Sequence, residues 1–302
     1  MVDVSGQQVP NRRDLSRETR TRPALTRVSG VCYALSVNAP ARALITMCFV
    51  ITIAALSVGC GSNSKQGKVD RKNAEYHYNL AYGNYFDSTR PNVDGAMQEV
   101  LRSLMADPDY PEAHMLAGLI YLGRKQYPES IRHFKTALKL RPNFLKAKNN
   151  LGAAYLADGR WDSAIQVYED LTKNIMYATP GNAHNNIGWA WYQKGDLDKA
   201  RRYFLSAINL APRLCVAYNN LGIVLFKQGQ PERALKNFER AAAKCPRYAE
   251  PHYHLARLQS GARNVSAAER SLNTCKSLAG DSRLGLRCEE RLKALRSAVG
   301  DR

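Results

Sequence analysis

The sequence predicts an all-α solenoid of about six helix–turn–helix repeats followed by a closing helix, and three observations carry that expectation. A four-residue phrase is written three times, as Asn149-Asn150-Leu151-Gly152, Asn185-Asn186-Ile187-Gly188 and Asn219-Asn220-Leu221-Gly222. Each copy is followed by a large residue (Tyr155, Trp191, Leu225), a turn glycine (Gly159, Gly195, Gly229) and an alanine (Ala164, Ala200, Ala234) at matching offsets. The phrase glycines 152, 188 and 222 lie 36 and 34 residues apart, and the pattern fades outward at the same period, to Gly118 upstream and Ala256 downstream. A period of this length with helical spacing inside it describes stacked helical hairpins and not one globular core.

Taken in order, the repeats read 73–110, 111–144, 145–180, 181–214, 215–248 and 249–282. The first is degenerate (Leu80-Ala81, Ala96, Val100, Pro108), with about three extra residues between its helices. The second is carried by Gly118, Tyr121, Phe134, Ala137 and Pro142, and the sixth by Leu255-Ala256, Ala268, Leu272 and Cys275. The 36-residue step places two extra residues near Met176–Pro180, which predicts a longer linker between repeats three and four. Residues 283–302 read as an amphipathic cap, with Cys288, Leu292 and Leu295 inward and Glu289 to Lys293 as an i,i+4 pair. This alternation of small and large residues resembles the tetratricopeptide repeat. The resemblance implies a right-handed superhelix in which small residues let antiparallel helices approach, aromatic residues fill the gaps, and a proline follows the second helix.

Ahead of the repeats, residues 1–42 carry Arg, Ser and Pro without helical periodicity and read as an extension preceding the true start. Ala43 to Leu56 is free of charge and mostly apolar, follows Arg42, and closes in Ser57-Val58-Gly59 before Cys60. That order of regions is a secretory signal over 43–59. With a cysteine directly after the small residue it resembles a bacterial lipoprotein signal, which implies that Cys60 carries lipid and becomes the new N-terminus. Such signals usually have leucine three places before the cysteine, where this chain has Ser57 beside Leu56. An uncleaved transmembrane anchor is the competing reading. Both put the repeats outside the cytoplasm and tethered to a membrane, and Gly61 after the cysteine favours the outer one by the same resemblance. Residues 60–72 then form a polar tether. Gly67-Lys68 is no phosphate loop, because five residues separate it from Gly61 where four are needed and Val69 stands where Ser or Thr would bind metal.

Lys and Arg total 44 against 26 acids, a net charge of +18. The basic residues are scattered with no long run, which argues for a solvated basic face, an acidic partner or lipid headgroups, and against nucleic acid. No catalytic, cofactor or metal constellation is expected. His114, His184 and His252 share one repeat position, held elsewhere by Lys148 and Tyr218, so they recur by register and not as ligands. In a hairpin, Cys215 and Cys245 fall at the same end, and Cys275 and Cys288 are joined by a short connection. In an exported chain both pairs are expected as disulfides. Buried free thiols are the alternative, since Cys275 takes a small core position.

Trp191 occupies the repeat's large core position, whereas Trp189 faces elsewhere. With Leu119 and Ile223 at the same repeat position, it makes an apolar stripe on what is the concave surface in tetratricopeptide proteins, a binding face unless the neighbouring repeat buries it. Asn150, Asn186 and Asn220 recur along one line and are expected to face that groove, each amide offering donors and acceptors to an extended peptide backbone. The alternative is that they tie adjacent repeats together. A lipoprotein signal joined to six repeats resembles the pilotin lipoproteins of type IV pilus biogenesis, the PilF/PilW and Tgl group. That resemblance implies a non-enzymatic outer-membrane adaptor that binds secretin subunits through its groove and promotes their assembly. A general periplasmic scaffold, or a partner subunit of a separate enzyme, is the alternative.

Overall fold

The computed structural model describes residues 70–300, which form thirteen α-helices and no strand. Twelve of them pair into six hairpins: α1 (Arg71–Phe86) with α2 (Val93–Ala106), α3 (Pro111–Gly123) with α4 (Tyr127–Leu140), and α5 (Leu145–Ala157) with α6 (Trp161–Thr172). The array continues through α7 (Pro180–Lys194) with α8 (Leu197–Leu210), α9 (Cys215–Lys227) with α10 (Pro231–Lys244), and α11 (Ala249–Gly261) with α12 (Val265–Ala279), and ends in α13 (Arg283–Gly300). The all-α repeat architecture expected from the sequence is the one observed. Residues 1–69, with the extension, the signal, Cys60 and most of the tether, lie outside the described residues. The tether ends sooner than expected: the Asp70 carboxylate accepts the Asn73 amide as an N-cap, so Arg71 and Lys72 are already helical.

Local chemistry sets the helix ends. Asn92, Asp196 and Asn264 cap α2, α8 and α12 by accepting the amide three residues on. Pro111, Pro180 and Pro231 open α3, α7 and α10, where a missing N–H goes unused. Between the helices of each of repeats two to six, one residue has positive φ, and Gly159, Gly195 and Gly229 supply it in the middle three. Lys125 (φ 60°) and Arg263 (φ 56°) take the same left-handed turn without glycine, because the hairpin requires it whatever the residue.

Within each hairpin the phrase glycine is a contact point. A methyl group on Gly118, Gly152 or Gly222 would lie 2.6 Å from the ring of Phe134, Tyr168 or Phe238, and on Gly188 2.8 Å from Phe204. The second helix can therefore press its ring onto the first helix's backbone, and all four rings are buried. Along the array the backbones of successive first helices approach one another, while those of successive second helices stay further apart, joined between α6 and α8 by the Tyr203 hydroxyl donating to Glu169 Oε1 at 2.9 Å. The stack consequently curves with α1, α3, α5, α7, α9 and α11 on its inner side. Trp189 and Trp191 pack against the buried clusters on both sides of repeat four and join them.

The linker between α6 and α7 is longer than its counterparts and exposes Ile175 and Met176. Tyr177 holds it by donating to Asn149 Oδ1 at 2.9 Å. At the far end, disulfides join Cys215 to Cys245 and Cys275 to Cys288, with Cα–Cα distances of 6.0 and 6.1 Å. The second of these, with Leu272 and Leu292, seats α13 on the last hairpin. Glu289 accepts from Lys293 at 3.2 Å and from Lys276 at 3.4 Å, linking α13 to α12 from the outside.

Candidate peptide-binding face

The asparagine line does not face the groove, so the amide ladder expected for a peptide does not form there. Asn220 is 1% exposed, and its Nδ2 donates to Asn185 Oδ1 at 2.9 Å across the junction of repeats four and five. Asn186 Nδ2 donates to the Tyr168 hydroxyl at 2.9 Å across the junction of repeats three and four. Asn150 is buried too. The reason is helical geometry: a residue two places before the glycine lies about 200° around the helix. The glycine faces its own second helix, so the asparagine faces the preceding repeat. These amides tie repeats together, and a buried amide without a partner would be expensive. Asn219 is such a case, fully buried with neither amide atom partnered among the described residues.

Leu119 departs from expectation as well: at 6% exposure it belongs to the core and offers no groove surface. The other two members of the predicted stripe are half-buried on the inner side, packed in part against the core. Trp189 stacks on Tyr192 with ring centroids 5.1 Å apart. Lys227, from the next first helix, sets its Nζ 4.4 Å from the Tyr192 ring centroid. Ile223 lies beside Phe226, an exposed aromatic, over which Arg257 of the following repeat holds its guanidinium at 5.2 Å. Two successive junctions thus repeat one arrangement, an aromatic ring capped by a cation from the next repeat, each contact worth about 0.5–1 kcal/mol at an exposed site. Tyr192, Phe226, Lys227 and Arg257 were not singled out from the sequence. The signal was there, because Tyr192 and Phe226 stand three residues after Trp189 and Ile223 and so share their helix face.

Beyond Arg257 the inner side turns cationic. Arg287 donates to the Tyr253 hydroxyl at 3.0 Å with its guanidinium 4.6 Å from the ring centroid, and Arg291 lies 5.9 Å from it. A shallow cavity of about 530 Å³ opens there between α11 and α13. Burial, and then the charges of Arg257 and Arg287, push His254 down to about 3, so it is neutral and stacks on Phe238 at 4.8 Å. His133 is pushed down to about 4 by burial and by His114, whose Nδ1 is 3.0 Å from its own. His184 and His252 are both lowered by burial. Among the described residues no three His, Cys, Asp or Glu side chains gather as metal ligands. The inner face can hold an extended chain with apolar and acidic groups: rings for the former, arginines and Lys227 for the latter.

A curved stack of helical hairpins with aromatic and cationic side chains along its inner side defines a helical-repeat scaffold. Tetratricopeptide-repeat family models match residues 92–143, 115–182, 181–214 and 215–248, more than half of the chain without a gap. The chain belongs to the tetratricopeptide-repeat family. No curated protein matches the sequence. Among solved structures it is similar to PilW, a type IV pilus biogenesis factor, with TM-score 0.61 and 18% identity over 71% of this chain and 97% of that one. It is similar to PilF of Pseudomonas aeruginosa with TM-score 0.59 and 17% identity, over 73% of this chain and 98% of PilF. The APC/C hetero-tetramer Cut9–Hcn1 gives TM-score 0.59 at 14% identity, over 82% of this chain and 45% of that one. These likenesses are of fold.

Proposed function

We propose that this protein is an outer-membrane lipoprotein adaptor, anchored through Cys60, that binds secretin subunits on its inner face and promotes type IV pilus secretin assembly. The observation that carries the reading is coverage: the similarity takes in 98% of PilF and 97% of PilW, nearly the whole of each. The signal ending at Cys60 supports the same reading, because an adaptor for a membrane assembly needs an anchor on that membrane. Binding, and not catalysis, is the action such an inner face performs. Peptide backbone and side chains would lie across Trp189, Tyr192, Ile223 and Phe226, with acidic groups towards Arg257. A second reading, a general periplasmic scaffold, is favoured by the comparable TM-score of a complex with no stated pilus role.

Two arms test the proposal. Cys60→Ser should abolish palmitate incorporation and release the chain from outer-membrane fractions, since only a cysteine forms the thioether. In the second arm, the periplasmic part of the co-expressed pilus secretin is titrated onto the purified chain. A buried aromatic anchor contributes about 2 kcal/mol at an interface, so Phe226→Ala and Trp189→Ala should each weaken binding by roughly thirtyfold. No measurable affinity of the wild type for the secretin would remove the pilotin reading and leave the scaffold one.

A further inference from the structure

The first helix carries a docking stripe that nothing among the described residues covers. In repeat two, Ala113, Leu116, Ala117 and Ile120 lie on the side of α3 that repeat one covers, all at 0–1% exposure. The corresponding residues of α1 are Tyr76, Asn79, Leu80 and Gly83, by the register that aligns Ala81 with Gly118. Tyr76 is 59% exposed and Leu80 41%, and Asn79 and Gly83 are exposed as well. Asn79 thus stands where Asn150, Asn186 and Asn220 stand, at the position whose amide bonds across a junction in repeats four and five. Tyr82 and Phe86, with ring centroids 4.5 Å apart, extend the apolar surface along the same exposed side. The other end of the stack is closed by α13, whereas α1 presents an inter-repeat surface of the kind that every later junction fills with a helix.

We infer that a second copy of this chain covers it, through an antiparallel pairing of the two α1 helices about a two-fold axis at Asn79. The helix runs from Arg71 to Phe86, so Asn79 lies at its midpoint. A two-fold there sets amide against amide, and a carboxamide is its own complement, each donating to the other's oxygen. The same axis brings Tyr76 against the partner's Tyr82, and Gly83 against the partner's Glu75, where the absent side chain makes room for a longer one. No charge on the stripe meets its like. One helix of sixteen residues is about 24 Å long. Such a pair buries less than the roughly 1,200 Å² of a standard stable interface. The dimer is therefore weak in dilute solution and forms where the chain is concentrated, as two tethered copies on one membrane are.

The test is geometric. The purified full chain has Cys32, Cys48 and Cys60 replaced by serine, in the test protein and the control alike, so that no other thiol is free. In it Asn79→Cys places two thiols across the axis, and mild copper-phenanthroline oxidation at high protein concentration should link most of it as a dimer. Glu239→Cys, exposed on α10, is the control and should stay monomeric. Adding Leu80→Glu to Asn79→Cys should abolish the link, and because Leu80 is exposed the fold is retained, which circular dichroism verifies. Linking of Asn79→Cys no greater than the control overturns the inference, as does linking that survives Leu80→Glu. A bimane label on Asn79→Cys quenched by doxyl lipids in phosphatidylglycerol vesicles, without dimer formation, would also overturn it and give the face to the bilayer.

Discussion

The asparagine pairs show how one residue type serves different ends at adjacent positions. Asn220 and Asn79 share a repeat position, yet one is sealed between repeats and hydrogen-bonded while the other stands in solvent. Removing the Asn220 amide strands the Asn185 oxygen it donates to, and a buried unsatisfied group costs about 1–3 kcal/mol. Asn220→Ala should therefore lower unfolding stability by that amount, whereas Asn79→Ala should stay within roughly 0.5 kcal/mol of wild type, as exposed substitutions do. Thermal unfolding of both variants measures it, and equal effects would mean that the junction bond contributes nothing. The recurrence of these residues was legible in the sequence, but their direction was not. Whether a helix face meets a groove or a neighbouring repeat depends on what is stacked there, and a periodic pattern records only that the face repeats. Trp189 was read onto the inner side because it stands two residues from the core Trp191 and the repeat resemblance puts that face on the concave surface, yet Leu119 at the same repeat position is buried.

Elements were more legible than residues, because hairpin topology follows from a period and short turns. The cysteine pairs illustrate this: Cys215 and Cys245 open and close one hairpin, which puts them at one end whatever the details. What escaped was the left-handed turn at Lys125 and Arg263, since only glycine announces positive φ in a sequence. The bridges close loops with sequence separations of 30 and 13 residues. Loop entropy alone makes each worth about 3–4 kcal/mol. In a stack where repeats contact only their neighbours, the loss should be local. Replacing Cys275 and Cys288 together by serine should speed amide exchange in α13 and α12 by more than tenfold while α3 to α6 keep their wild-type rates. Uniform acceleration along the whole array would show that the stack unfolds as one cooperative unit and that the bridge does not act as a local clamp.

At the scale of the whole molecule, the curved stack and its cap were visible from 34-residue spacing, while the unclosed α1 end was not, because a stripe of Tyr76, Asn79, Leu80 and Gly83 reads as a degenerate repeat until exposure is known. The stack also distributes neutral histidines through its length, and that makes its stability depend on pH in a definite window. An unfolded histidine titrates near 6.5. In the fold His133 is held down to about 4 and His254 to about 3, both chiefly by burial, with His184 and His252 lowered in the same direction. A depressed folded value means that the unfolded chain binds protons first, so the stabilisation is complete above pH 6.5 and is lost as pH falls through the folded values. Asp170, Asp196 and Glu289 are also lowered, by hydrogen bonds from Lys148, from the Lys199 amide and from Lys293 respectively. Their contribution is lost only in the carboxylate range, below about pH 4.5. Between pH 6.5 and 4.5 the slope therefore belongs to the histidines, at up to about 1.4 kcal/mol per pH unit for each group that stays neutral. Melting temperature should fall steadily across that interval at fixed ionic strength, and His133→Gln combined with His254→Gln should at least halve the slope even if it lowers the plateau. A wild-type melting temperature that stays flat from pH 6.5 to 5 would mean that these imidazoles accept protons without leaving the fold, and that the stack opens locally around them at no global expense.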